Sequence, residues 1–252
     1  IERMVFFFFY ELFVIGTSNT GVISLNALPL VFNVRHGEHG AVGNLMVPLG
    51  KTADIPDEVF RTVFEVVEDM NIVLKQIVPG LTISVMDLGP TVMKNGASGR
   101  RIMLMSDKNH KSIPLQYESE GIKKIISVLQ LLIVMYNKPS ITIVIDELDS
   151  GIFEYLLGEL LRILSEKGKG QLIFTSHNLR PLETLDRGFI AFTTTNPENR
   201  YIRLTNIKEN NNLRDFYFRD IVLGEQREEV YNATNNAEIA LAFREAGEAI
   251  GT

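Results

Sequence analysis

Apolar positions along the chain follow two rhythms. Val59, Phe60, Val63, Phe64, Val67, Met70, Leu74 and Ile77 recur at three and four residues, the spacing of one helix face, and predict a helix over Pro56 to Val78. Pro56 suits its first turn, Asp57 and Glu58 favour its amino end, and Pro79-Gly80 stops it. Leu81 to Met86 and Arg100 to Ser106 then read as the arms of a β-hairpin around the turn-rich Lys94 to Gly99. Ahead of the helix, residues 17 to 50 are rich in Gly, Asn and Pro, and Val22-Ile23, Leu28 to Val34 and Leu45 to Val47 read as short strands joined by loops. Met4 to Ile15 is the most apolar run; Leu12 to Ile15 is β-prone and stops at Gly16, so the run reads as a buried strand.

In the second half helices alternate with short apolar strands. Ser119 opens a helix with a stripe of Ile122, Ile125, Ile126, Leu129, Leu132, Ile133 and Tyr136. Ile141 to Ile145 is an unbroken run of strand length, the pattern of a parallel strand covered on both faces. Ile152 to Leu164 forms the next helix, closed by Gly168 and Gly170; Gln171 to Thr175 reads as another buried strand, followed by strands near Phe189 to Phe192 and Tyr201 to Leu204. This alternation predicts an α/β fold with a mostly parallel sheet, flanking helices, right-handed crossovers and an antiparallel β portion. Beyond Asn206 the chain turns polar, with one amphipathic piece at Ala237 to Ala246. The expected division is residues 1–206 as the main domain and 207–252 as a tail.

Composition narrows this only slightly. At 252 residues and 45% hydrophobic the chain can bury a large core, and a net charge of -6 gives no global attraction to nucleic acid. The absence of cysteine excludes disulfides and thiolate metal sites and fits a cytoplasmic protein. Met4 to Ile15 is about half the length of a membrane span and contains Glu11, and no membrane association is expected. A chain opening on Ile1 reads as a fragment or processed form.

The candidate chemistry centres on Ile141-Thr142-Ile143-Val144-Ile145-Asp146-Glu147. Two carboxylates end a strand at the sheet edge where open α/β folds bind ligands. An aspartate there can hold Mg²⁺ and the glutamate beside it can deprotonate a water for attack on a γ-phosphate; a solvated strand end or an unrelated acidic site has the same local sequence. Ser119 and Gly121 open the preceding helix, exposing amides that suit a phosphate, although a serine there also serves as an ordinary cap. Asp149 follows the acidic pair, and His177 ends the next strand at the same edge, as a γ-phosphate contact or as a solvated loop residue.

Taken in order, Ser119-x-Gly121, Ile143 to Glu147, Asp149 and Ser176-His177 resemble the signature, Walker B, D-loop and H-loop of the ATP-binding-cassette class. The chain is most similar to bacterial AAA-family ATPases related to the overcoming-lysogenization-defect proteins, cousins of the structural-maintenance-of-chromosomes ATPases. The phrases Ile15 to Val22 and Asn71 to Leu81 add to this resemblance, which covers about residues 12 to 206. It implies a P-loop NTPase-like fold using ATP and Mg²⁺, with Asp146 as the metal aspartate, Glu147 as catalytic base, His177 as γ-phosphate switch and Asp149 as a D-loop residue. It further implies a homodimer closed on nucleotide, with Ser119 and Gly121 touching the nucleotide of the opposite subunit, coupled to DNA or an effector protein in phage defence or DNA handling. Glu120 departs from the pattern, standing where many cassette proteins carry Gly.

A phosphate-binding P-loop of the form G-x-x-x-x-G-K-[ST] is missing. The nearest segment, Leu45 to Thr52, has Leu45 for the first Gly, while Pro48 removes a donor amide and Ala53 to Pro56 prevents direct continuation into a helix. An ordinary loop before the helix is expected there, with the P-loop in an absent amino-terminal lobe. Three functions follow: the catalytic part of a dimerising ATPase, a non-catalytic nucleotide-gated interaction module, and a metal nuclease using Asp146, Glu147 and Asp149.

Overall fold

The computed structural model describes residues 2–16, 23–24, 27–36, 39–203, 212–223, 226–232 and 234–250. In chain order its elements are α1 (Glu2–Tyr10), β1 (Leu12–Gly16), β2 (Ile23–Ser24), β3 (Ala27–His36), β4 (His39–Pro48), β5 (Ala53–Pro56), α2 (Asp57–Ile77), β6 (Leu81–Val92), β7 (Ser98–Lys108), β8 (Lys111–Pro114), α3 (Glu120–Asn137), β9 (Thr142–Ile145), α4 (Glu154–Lys167), β10 (Gln171–Phe174), α5 (Pro181–Thr184), β11 (Phe192–Thr193), β12 (Tyr201–Ile202), α6 (Leu213–Leu223) and α7 (Asn236–Ile250). They fall into two units, Ile1–Asn178 and Leu179–Thr252. The boundary expected at Asn206 lies outside the described residues.

The first unit is mixed α/β, with the expected parallel sheet, flanking helices and antiparallel portion. The parallel sheet runs β10-β9-β1-β2. Ile143 pairs with Phe13 and Leu172, and Ile145 with Ile15 and Phe174, so the three long strands end level. Ile143 and Ile145 are fully buried, with Phe13 and Ile15 beside them. Below them Ile125, Leu129 and Leu132 of α3 meet Leu157 and Leu161 of α4 in one apolar interior. β10 differs from the buried strand expected: it is the last strand of the sheet among the described residues, and Gln171 and Ile173 are exposed.

The Met4 to Ile15 run divides in two. Leu12 onward is strand, but α1 precedes it, closed by the Glu11 amide donating to the Phe7 carbonyl at 2.9 Å. A run apolar at every position carries no period to separate helix from strand, and strand pairing begins only at Leu12, opposite Thr142. Residues 27–36 and 39–48 likewise make two long paired strands instead of short pieces, β3 and β4 pairing from Ala27↔Pro48 to His36↔His39. Leu45 to Pro48 is therefore strand, and β5 stands between it and α2. Leu49 to Thr52 is the expected loop, while Pro48 belongs to the hairpin arm; Val22 and the segment before it lie outside the described residues.

Helix α2 matches its expected stripe, burying Val63, Val67, Met70 and Leu74. Pro56 does not begin its first turn; it caps the helix in extended conformation while ending β5 opposite Gly99. The second sheet runs β5-β7-β6 with β8 also on β7, and the β6–β7 hairpin is longer than the expected arms. Asn71 ties α2 to the outer edge of β6: its side-chain amide donates to the Ile83 carbonyl at 2.8 Å and its side-chain oxygen accepts from the Ile83 N–H at 2.8 Å. One side chain thus satisfies both backbone groups that an edge strand leaves open.

In the second unit β11 and β12 form a short antiparallel pair. Arg187 to Phe189 is a 3-10 turn capped by Asp186, which shortens the strand expected at Phe189 to Phe192; Leu204 lies outside the described residues. The tail holds α6 as well as the expected amphipathic helix, α7. Among the described residues no helix is long and apolar enough to cross a membrane.

Asn71→Ala leaves the Ile83 N–H and C=O without their partners and is expected to cost about 1–3 kcal/mol in urea unfolding. A variant within a few tenths of wild type would show that Asn71 does not secure this edge.

Candidate functional site

The level ends of β9 and β10 bring Asp146 beside Thr175. The Thr175 hydroxyl donates to Asp146 Oδ1 at 2.6 Å and accepts from the Glu147 N–H at 2.7 Å. One hydroxyl therefore fixes both the side chain of the aspartate and the backbone of the glutamate. Glu147 lies in the left-handed region at φ 48°, uncommon for a residue with a Cβ and a recurrent feature of functional turns. Its carbonyl accepts the Ser150 N–H at 3.1 Å, closing the turn, and Gly151 follows at φ 76°.

His177 stands over this turn, its side chain 85% exposed and Nε2 3.6 Å from Glu147 Oε1. Asp149 holds the histidine backbone from below, accepting the His177 N–H at 3.3 Å on Oδ1 and the Asn178 N–H at 3.0 Å on Oδ2. This is a task within the chain that the family resemblance does not imply. Among the described residues no three His, Asp or Glu side chains gather as a metal site, so Asp146, Glu147 and Asp149 do not make the metal cluster the nuclease reading needs.

Ser119 is exposed and caps α3, its Oγ accepting from the Ile122 N–H at 3.3 Å. Gly121 has its own structural reason: a Cβ there would collide with the Gly151 carbonyl oxygen. The two glycines let the start of α3 lie directly against the acidic turn. Asp146, Glu147, Asp149 and His177 thus come together at the carboxyl edge of the parallel sheet, and Gly121 brings the start of α3, which Ser119 caps, against the same turn.

Two residues belong to this site whose roles the sequence did not reveal. Thr175 is one; the equal lengths of β9 and β10 offered a signal, since in-register strands must place 175 next to 146. Lys124 is the other. It is 5% exposed, and its Nζ donates to the Glu147 carbonyl at 3.0 Å. Burial pushes its ammonium below the ordinary lysine value, opposed by the charges of Asp149, Glu147 and Asp146. A lysine one turn into a helix reads as solvated, and its burial appears only once the acidic turn is folded over it.

Asp146 is exposed and offers hard oxygen donors. Among the described residues no three His, Asp or Glu side chains gather to hold a metal by themselves. Mg²⁺, which needs one or two carboxylates and takes its other ligands from water and phosphate, suits the donors present.

No family model and no curated protein matches the chain. Among solved structures, one from work on ATP-driven dimerization and DNA-stimulated activation of SMC ATPases is similar at 13% identity and TM-score 0.46, over 67% of this chain and 98% of that one. An Smc head bound to the C-winged helix domain of ScpA is similar at 16% identity and TM-score 0.35, over 49% and 38%. A Pyrococcus furiosus Smc head with extended coiled coil, bound to the C-terminal domain of ScpA, gives 15% identity and TM-score 0.35, over 49% and 31%. Likenesses this distant leave function to the site itself.

Thr175→Val removes the bridging hydroxyl while keeping the shape, and is expected to cost about 1 kcal/mol and to speed amide exchange at Glu147 at least tenfold. Unchanged exchange would mean the bridge does not hold the turn. Gly121→Ala is expected to cost about 1–3 kcal/mol in the same unfolding assay, the range for overpacking; a neutral outcome would show that α3 can back away from Gly151 freely.

Proposed function

We propose that this chain supplies the hydrolytic half of a Mg²⁺-dependent ATPase site of the ATP-binding-cassette type. The observation that carries the reading is the Thr175 bridge: Asp146 and Glu147 are fixed by one hydroxyl, with His177 Nε2 3.6 Å from the Glu147 carboxylate. Asp146 would hold Mg²⁺, which when bound supplies charge neutralisation at the phosphates. Glu147 orients and deprotonates the attacking water. His177, its backbone held by Asp149, faces the same space and contacts the γ-phosphate. Ser119, exposed on the rim at a helix amino terminus, would meet nucleotide held by a second subunit, giving a homodimer closed on ATP.

The phosphate-gripping loop comes from another segment on this reading, because G-x-x-x-x-G-K-[ST] does not occur in the sequence and the first half of its nearest counterpart, Leu45 to Pro48, is paired in β4. Closure and opening of the dimer would be the output, passed to an effector or to DNA. The resemblance to overcoming-lysogenization-defect ATPases supports phage defence or DNA handling in the cytoplasm. The same lack of a P-loop favours a second reading, in which the site gates an interaction without turnover.

Glu147→Gln in the native polypeptide separates the two. The ATPase reading expects kcat to fall by at least about 100-fold, the range of a lost general base, with ATP-dependent dimers accumulating in light scattering. Unaltered turnover and association would sink the ATPase reading; dimerisation on ATP with no turnover in the wild type would establish the gated module.

A further inference from the structure

Lys124 is a buried cation whose contact is with backbone. Its Nζ donates to the Glu147 carbonyl at 3.0 Å, and that carbonyl also accepts the Ser150 N–H at 3.1 Å. Both lone pairs of this oxygen are thereby used, one to close the turn and one to fasten it to α3. The turn needs fastening, since Glu147 sits at φ 48°, a conformation that costs on the order of 1 kcal/mol for a residue with a Cβ. Only three residues before Lys124, Gly121 abuts Gly151 at the far end of the same turn. Helix α3 therefore grips the acidic turn at two points, by contact at Gly151 and by a charged hydrogen bond at Glu147. Both grips lie within the first two turns of α3, beside Ser119.

The alternative is that Lys124 merely fills space or balances charge. Asp149, Glu147 and Asp146 do act on its charge, but its hydrogen bond is made to main chain. An ammonium serving only as counter-charge gains most from a carboxylate oxygen, yet this one meets a main-chain carbonyl inside a buried setting, at the residue whose backbone is strained. An exposed lysine would have served for charge alone, at far lower desolvation cost.

We infer that Lys124 is a positioning residue for Glu147: it holds the glutamate backbone in its left-handed turn and ties that turn to the start of α3, so that displacement of Ser119 and Gly121 moves the Glu147 carboxylate. This rests on the ATPase reading for its consequence in turnover, but not for its consequence in structure. Substrate contacts on the rim at Ser119 and water activation at Glu147 become mechanically linked through one helix turn.

Lys124→Met keeps length and removes the donor. In the full chain, hydrogen exchange at the Glu147, Leu148 and Ser150 amides is expected to quicken at least tenfold, while Ile143 and Ile145 in β9 keep wild-type protection. In turnover by the native polypeptide, kcat is expected to fall at least 30-fold with KM within twofold, and the same substitution placed in Glu147→Gln is expected to cause no further fall, because the lysine acts through the glutamate. Lys124→Arg, which retains a donor, is expected to recover at least tenfold of the lost kcat and serves alone if the Met variant does not fold. Wild-type exchange at the turn, losses that add fully to Glu147→Gln, or equal kcat losses for Arg and Met would each overturn the assignment. If the native polypeptide with its phosphate-binding segment hydrolyses no ATP, the ATPase reading falls, and the exchange measurement alone decides Lys124.

Discussion

Strand β9 is held between β1 and β10 with every residue from Thr142 to Ile145 paired on both sides, and the position of each group in the candidate site follows from that. Parallel pairing in register means that chemistry at the end of one strand is met by whatever ends its neighbours. Ile143 and Ile145 anchor the register because each is fully buried. A one-residue slip would turn both toward the opposite face and bury Thr142 and Val144 in their place. Asp146, the next residue, then leaves the sheet beside Thr175, and the turn that follows has no freedom to point elsewhere.

Around that fixed edge the turn is restrained from three directions. Thr175 holds it from β10, Lys124 from α3, and Gly121 presses on its far end. Asp149 returns the restraint, holding the amides of His177 and Asn178. The turn after β9 and the loop after β10 therefore fix each other, and a left-handed glutamate is maintained by contacts on separate elements. Such over-determination is what lets a strained conformation persist.

These restraints also explain what could be read from the sequence. Helix α2, the β6–β7 hairpin and α3 were legible from the spacing of their apolar residues, and β9 with its Asp146-Glu147 end was legible because Ile141 to Ile145, four apolar β-branched residues and a threonine, make an unbroken run of strand length. The helix over Met4 to Tyr10 was not, since Phe6 to Phe9 is apolar at every position and only the start of pairing at Leu12 separates helix from strand. β10 looked buried because Leu172, Ile173 and Phe174 are apolar, but burial depends on neighbours that sequence does not display. Thr175 and Lys124 were hidden for a related reason. A hydroxyl shared between a carboxylate and an amide leaves no periodic trace, nor does a lysine that bonds a main-chain oxygen.

The glycines sharpen the same point about inferring roles from motifs. Gly121 fits a phosphate-binding signature and also fits a steric demand inside its own chain, because Gly151 occupies the space a Cβ would need. The two roles are compatible. A helix start that must lie against the acidic turn for packing is already placed where a ligand contact on its rim would be felt by Glu147. Close packing at Gly121 sets the helix start that carries Ser119 against the turn that follows Glu147, so the steric reason for the glycine is also the physical basis on which a signature there could act.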